Sequence, residues 1–119
     1  MTEPTTPTLA ALQEHLGLRA YAALLEKWQR RINLVGPKTL PDLWVRHMQD
    51  SAQLLGYLPI PGQPRRLVDF GSGAGFPGLV LAILRPDLDV HLVESDQRKG
   101  AFLRQVAQET GARITLHGK

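Results

Sequence analysis

Four glycines within eight residues, at positions 71, 73, 75 and 78, constrain the fold of this chain more than any other feature of its sequence. They follow a short apolar run that ends at Phe70 and precede a second apolar run from Leu79 to Leu84. Glycine adopts left-handed backbone conformations without steric cost and lets a ligand approach the main chain closely. The pattern predicts a strand, a tight turn and a helix whose N-terminus faces a ligand. A turn that binds nothing is the simpler alternative, but it would not require so many glycines.

Short apolar runs alternate with helical patterns through the rest of this half of the chain, which makes the predicted fold α/β. The predicted strands are Leu67–Phe70, Val90–Glu94 and Ile114–Leu116, and the predicted helices between them are Pro77–Leu84 and Gln97–Thr110. This β-α-β-α-β order predicts a parallel sheet with right-handed crossovers and a ligand site beyond the carboxyl ends of the strands.

The first half of the chain has a different pattern. Residues 1–8 are rich in Thr and Pro and are predicted to be disordered. Apolar residues at three- and four-residue steps then predict a helical subdomain over residues 9–58, whose third helix runs from about Pro41 to Gly56. A Pro/Gly-rich linker is predicted over residues 59–66, before the sheet domain at 67–119.

Composition excludes several classes of protein. The chain contains no cysteine and its four histidines are scattered, so neither disulfides nor a metal site is expected. The longest apolar run is far too short to span a bilayer, and the N-terminus does not resemble a signal peptide, so a cytoplasmic protein without membrane contact is expected. The net charge of +3 permits a nucleic-acid partner without requiring one.

The glycine turn alone does not identify its ligand. Gly73, Gly75 and Gly78 also match the dinucleotide fingerprint, and Glu94 lies about 20 residues on, where a carboxylate would bind ribose hydroxyls. Asp69 favours another ligand, since a carboxylate beneath the turn would repel a pyrophosphate. It would attract the ammonium and sulfonium of S-adenosylmethionine, the methyl donor that we therefore favour.

Three stretches together resemble one enzyme family. They are KWQRRINL at residues 27–34, VRHMQDS at 45–51 and VDFGSGAGFPG at 68–78, and Arg85-Pro86 and FLRQV at 102–106 extend the likeness. The chain resembles the bacterial rRNA small-subunit methyltransferase G family, also called glucose-inhibited division protein B, from about Tyr21 to its C-terminus. Matched residue by residue, the resemblance implies that Gly71 and Phe76 bind the donor and that Glu94 lies near its ribose.

The resemblance implies transfer of a methyl group to N7 of a guanine in 16S rRNA, with free rRNA or the small ribosomal subunit as partner. The predicted donor-binding residues are Asp69, Gly71, Gly73, Gly75, Phe76 and Glu94. Guanine N7 carries a free lone pair, so positioning and desolvation suffice and no catalytic side chain is expected.

Two pairs of basic residues are candidates for RNA contact. Arg46 and His47 share a polar patch with Asp50 and Ser51, and Arg98 and Lys99 open a helix where cations oppose the helix dipole. A local ion pair and a solvated first turn are the ordinary alternatives.

The family implies a Rossmann-like class I methyltransferase sheet with further strands after Leu116. The chain is thus expected to be a truncated form or fragment of the enzyme, with an unpaired edge at its third strand and an uncovered apolar sheet face. Two other functions stay open: part of an NAD(P)-binding oxidoreductase, or a non-catalytic module that binds RNA.

Overall fold

A computed structural model describes residues 7–58 and 65–118. Most of the predicted disordered N-terminus and of the predicted linker lies outside these residues. The helices of the first part are α1 (Leu9–Glu14), α2 (Leu16–Gln29), a 3₁₀ turn (Leu40–Asp42), a π-helical turn (Trp44–Gln49), α3 (Asp50–Ala52) and a second 3₁₀ turn (Gln53–Tyr57). The second part comprises β1 (Arg66–Phe70), α4 (Gly78–Leu84), β2 (Asp89–Val93), α5 (Gln97–Thr110) and β3 (Ile114–His117).

The segment from Leu40 to Tyr57 corrects the prediction of a regular third helix. Its buried residues explain the mixture of turns: Leu43 and Met48 are five residues apart, whereas Ala52 and Leu55 are three apart. A step of five suits a π-turn and a step of three suits a 3₁₀ turn, so the backbone winds as burial of these side chains demands.

The three strands are parallel and lie in the order β1-β2-β3, which confirms the predicted α/β alternation. Helices α4 and α5 pack on one face of the sheet, and the N-terminal helices pack on α4 and α5. One continuous cluster of buried residues, from Leu12 in α1 to Val106 in α5, joins the helical part to the sheet part. The division into subdomains stays a prediction, and the two parts share a hydrophobic core.

The opposite face of the sheet has no helix of the described chain upon it. Its residues include Val68 and Phe70 of β1, which are 44% and 78% exposed. His91 and His117 lie beside them, with their rings stacked 5.2 Å apart. The predicted uncovered face is therefore present. Among the described strands both β1 and β3 are edges, so the predicted edge at β3 is accompanied by a second one at β1. No helix in residues 7–58 and 65–118 is long and apolar enough to cross a membrane.

Candidate functional site

The glycine turn lies at the carboxyl end of β1, as predicted. Gly71, Gly73 and Gly75 have φ angles of +65°, +54° and +95°, a region that favours glycine. The Gly71 and Ser72 N–H groups both donate to the Val93 carbonyl at the end of β2, at 2.8 and 3.1 Å. The turn is therefore fixed to the carboxyl end of the neighbouring strand.

Two of these glycines differ in the space around them. A Cβ at Gly75 would lie 2.6 Å from Leu79 Cδ1 and 2.8 Å from the Tyr21 hydroxyl oxygen, whereas a Cβ at Gly71 would meet nothing within 4 Å. Gly75 is needed for packing as well as for its backbone angle. Gly71 borders open space, where a ligand has room to approach the main chain.

Glu94 reaches the turn directly. One carboxylate oxygen accepts the Gly73 N–H at 2.6 Å and the other accepts the Asp96 N–H at 2.9 Å. The predicted ribose-binding carboxylate and the predicted glycine turn are thus in contact. A ribose hydroxyl must share the Glu94 oxygens with these N–H groups or displace them.

Asp69 is half-buried beneath the turn, and its carboxylate accepts the Gly78 N–H at 3.1 Å. Burial raises the pKa of this carboxyl, and the bond from Gly78 only partly offsets that. Asp69 therefore joins the end of β1 to the start of α4, a structural role that the sequence did not reveal. Gly78 is required there, since a Cβ would lie 2.5 Å from Leu92 Cδ2 and 2.8 Å from an Asp69 carboxylate oxygen.

Phe76 projects away from the glycines and into the helical part of the molecule. Its ring is stacked between Tyr21 at 5.2 Å and His47 at 4.9 Å. A role of this side chain toward the donor stays a prediction, while its packing role is clear.

The sequence did not reveal that Tyr21 contributes to the site, because Tyr21 follows the apolar stripe of α2 and is typical of a core position. It is fully buried, and its hydroxyl donates to the Ala74 carbonyl inside the glycine turn. Burial raises the pKa of this phenol well above 10, and the charge of Asp69 adds to the effect. A buried tyrosine needs a partner for its hydroxyl, and that requirement was the one signal available in the sequence.

The predicted RNA-binding residues occupy two places. Arg46 and His47, with Asp50 and Ser51, line one pocket of about 330 Å³ beside Phe76. Burial lowers the pKa of His47, the nearby Asp50 opposes this and Arg46 reinforces it, so the ring is neutral at pH 7. Arg46 lies 3.6 Å from Asp42, so the pair predicted as the ordinary alternative forms with a different aspartate.

Arg98 and Lys99 lie apart from that pocket, in the first turn of α5. Their N–H groups donate to the Asp96 side chain at 2.9 and 3.1 Å, so Asp96 caps the helix. These bonds, that from Lys99 first, lower the pKa of Asp96. An aspartate directly before a helical pattern is an N-cap signature that the sequence offered.

Comparisons with known proteins indicate the family to which the sequence is similar. The family described as rRNA small subunit methyltransferase G (GidB) matches residues 14–116. The chain is 63% identical over 102 residues to the ribosomal RNA small subunit methyltransferase G of Paramagnetospirillum magneticum, covering 86% of this chain and 48% of that protein. It is 65% identical over 100 residues to the protein of that name from Rhodospirillum rubrum, covering 84% and 48%.

The protein of the same name from Parvibaculum lavamentivorans is 58% identical over 103 residues, which cover 84% of this chain and 45% of that protein. The chain thus spans about half the length of the curated relatives it matches. The match nevertheless extends from α1 to β3 and includes the whole glycine turn. The chain belongs to the rRNA small subunit methyltransferase G family.

Proposed function

We propose that the glycine turn binds S-adenosylmethionine and that the protein serves methyl transfer to N7 of a guanine in 16S rRNA. The observation that carries the proposal is the contact between Glu94 and Gly73, which joins a carboxylate to a left-handed glycine turn at the ends of adjacent parallel strands. Such an edge is where open α/β sheets bind nucleotide-like ligands. A Rossmann-like sheet and a cytoplasmic location are part of the same proposal.

The residues at this edge suit the donor's charge. S-adenosylmethionine carries an ammonium and a sulfonium and has no phosphate, so Asp69 favours it electrostatically over a dinucleotide, whereas Glu94 suits the ribose of either ligand. Gly71, Gly73 and Gly75 would present main chain to the donor, and Glu94 would accept its ribose hydroxyls. Membership of a methyltransferase family supports the same choice and gives no support to the nicotinamide alternative.

We assign the pocket beside Phe76 to the target base. Arg46 and Asp50 offer a donor and an acceptor for guanine O6 and for its N1–H and N2–H₂ groups, and neither bond involves N7. His47 is stacked on Phe76 and is neutral, so it adds an aromatic wall without a competing charge. Arg98 and Lys99 are the proposed phosphate contacts of this site.

The reaction requires little acid–base chemistry from the protein. When bound, the donor would supply a methyl group on a positively charged sulfur: the N7 lone pair of guanine would bond to that methyl as the sulfur–methyl bond breaks, and the donor would leave as a neutral thioether. No proton is lost from N7, so the protein's residues need only align the two partners and exclude water.

Isothermal titration with S-adenosylmethionine tests the donor site. The chain is expected to bind the donor, and Gly71→Arg, which fills the open space above the turn, is expected to abolish binding. Glu94→Gln keeps the size of the side chain but removes its charge, so affinity should fall roughly 10-fold if a charge-assisted bond to ribose is lost. Binding that is unaffected by either change would contradict the assignment.

Two further measurements separate the alternatives. Transfer of a labelled methyl group from the donor to 16S rRNA or to small subunits tests the acceptor. A fluorescence titration with NADH tests the dinucleotide hypothesis, since saturable NADH binding without donor binding would replace the present proposal.

A further inference from the structure

A groove outside the donor site is bordered by positive charge. It lies where the end of α2 packs on α5, has a volume of about 430 Å³ and is lined by Lys27, Trp28, Arg30, Arg31 and Gln105. We call it the α2 groove.

The floor of the α2 groove is rigidly held. The Trp28 indole N–H donates to Gln105 Oε1 at 3.1 Å, and the indole meets the buried ring of Phe102 edge-on at 5.6 Å. A half-buried aromatic ring fixed at both its polar and its apolar side offers a defined surface for a sugar or a base.

The rim carries three exposed cations, Lys27, Arg30 and Arg31. Within the described residues none of them forms an ion pair within 4 Å. Glu26 precedes Arg30 by four residues, a spacing that permits a helical ion pair, and yet the two do not pair. The Glu109 carboxylate accepts a hydrogen bond from the side-chain amide of Gln105, a groove residue, at 3.2 Å.

The ordinary explanation accounts for only part of this arrangement. Cations at the carboxyl end of a helix are favoured by the helix dipole, and that explains Lys27 in the last turn of α2 and Arg30 at its C-cap. It does not explain why Arg31 joins them around a concave surface with an aromatic floor, where none of the three pairs with an acidic residue of the described chain. Like charges three and four residues apart repel, so their clustering favours an anionic ligand that neutralises them.

We propose that the α2 groove binds the sugar-phosphate backbone of an RNA strand, with Lys27, Arg30 and Arg31 on successive phosphates and Trp28 beneath a sugar or base. This rests on the proposed function, because that function brings rRNA to the protein. Arginine binds phosphate with two parallel N–H bonds, and an aromatic ring beside it is typical of single-strand binding. An acidic peptide would match the charge but would make no use of the indole floor.

The position of the groove relative to the donor site supports this assignment. Ring contacts lead from Trp28 to Phe102 at 5.6 Å, from Phe102 to Tyr21 at 6.2 Å and from Tyr21 to Phe76 at 5.2 Å. The groove is thus three ring contacts from the pocket proposed for the target base. The two places are therefore close enough in space for one RNA strand to contact both.

The test compares two triple variants that lose the same charge. Lys27→Gln/Arg30→Gln/Arg31→Gln removes the three groove cations, and Arg65→Gln/Arg66→Gln/Arg113→Gln removes three exposed cations near the amino ends of β1 and β3. Binding of a fluorescently labelled single-stranded RNA of about 16 nucleotides is measured by anisotropy over a series of salt concentrations, with urea unfolding as the check on folding.

Three lost phosphate contacts should lower affinity roughly 100-fold at 0.1 M salt and reduce the slope of log K against log salt by about 2. The control variant should stay within about threefold of the parent, and both should bind S-adenosylmethionine as the parent does. In a Trp44→Phe background, RNA should also quench Trp28, the one remaining tryptophan.

Equal losses of RNA affinity in the two triple variants would refute the assignment of RNA to the α2 groove and would leave the proposed function intact. RNA binding without quenching of Trp28 would have the same meaning. A polyglutamate peptide, added at the same total charge as the RNA, could displace the RNA from Trp28 in the parent protein. That result would assign the groove to acidic peptides instead. If the parent binds no RNA at low salt, the assignment of RNA to the α2 groove is refuted as well. Failure of the parent to bind S-adenosylmethionine, in contrast, would refute the proposed function.

Discussion

The substitution of alanine at Gly71 and at Gly75 separates the conformational need for glycine from the steric one. Both residues have a left-handed backbone, which costs an alanine roughly 1–2 kcal/mol. Both changes also stiffen the unfolded chain, which offsets about 0.4–1 kcal/mol. Only at Gly75 would the new methyl group collide, with Leu79 and with the Tyr21 hydroxyl. Overpacking of this kind adds about 1–3 kcal/mol, which is the expected difference in unfolding free energy between the variants.

Urea unfolding of the two variants and of the parent measures that difference, and donor titration adds a second readout. Gly71→Ala is expected to lose only about 1 kcal/mol of unfolding free energy, because the stiffer unfolded chain offsets part of the backbone cost. It is expected to bind the donor more weakly, because its methyl group enters the space above the turn. Gly75→Ala is expected to be the less stable of the two. Equal destabilisation by both would refute the distinction between an open and a filled glycine, and unaltered donor binding by Gly71→Ala would refute the location of the ligand.

Three further outcomes are expected. Tyr21→Phe leaves the Ala74 carbonyl without its partner, at a cost of about 1–3 kcal/mol in urea unfolding, and should weaken donor binding. Tyr57→Phe, at a side chain that is 86% exposed, should leave the unfolding free energy unchanged. The pKa of His47 is below 6.5 in the folded protein, so the unfolded chain binds more protons. The unfolding free energy therefore decreases as the pH falls below about 6.5. In urea unfolding between pH 8 and pH 5, the variant His47→Gln should lose less unfolding free energy than the parent. Phe70→Thr should reduce self-association in sedimentation experiments, since Phe70 is 78% exposed on the uncovered sheet face, and unchanged association would place the contact elsewhere.

The regular elements were predictable where local chemistry decides them. Helix α5 begins at Gln97 and ends at Thr110, as expected, because Asp96 caps its start and Gly111 ends it with a φ of +73°. The strands agree with their predicted limits to within one residue because their apolar runs are short and sharply bounded. The winding of residues 40–57 was not predictable, since it depends on which side chains the rest of the core buries.

The sequence predicted which residues form the candidate donor site, and their donor role stays a prediction, but it did not predict their contacts. Asp69 and Glu94 were both assigned to the donor from their places at strand ends, and the structure puts both beside the glycine turn. Their bonds to Gly78 and Gly73 depend on side-chain geometry that spacing alone does not give. The bond from Tyr21 joins residues 53 positions apart, and no local pattern indicates it.

These contacts explain how a turn so rich in glycine is held in one conformation. Glycine loses more backbone freedom on folding than any other residue, so an isolated turn of this kind would be mobile. Here β2 holds its start through the Val93 carbonyl, Tyr21 of α2 holds its middle, and His47 packs on Phe76 near its end. The N-terminal helices therefore support the proposed donor site from beneath and beside the turn. An edge organised in this way before a ligand arrives has less conformational entropy to lose on binding.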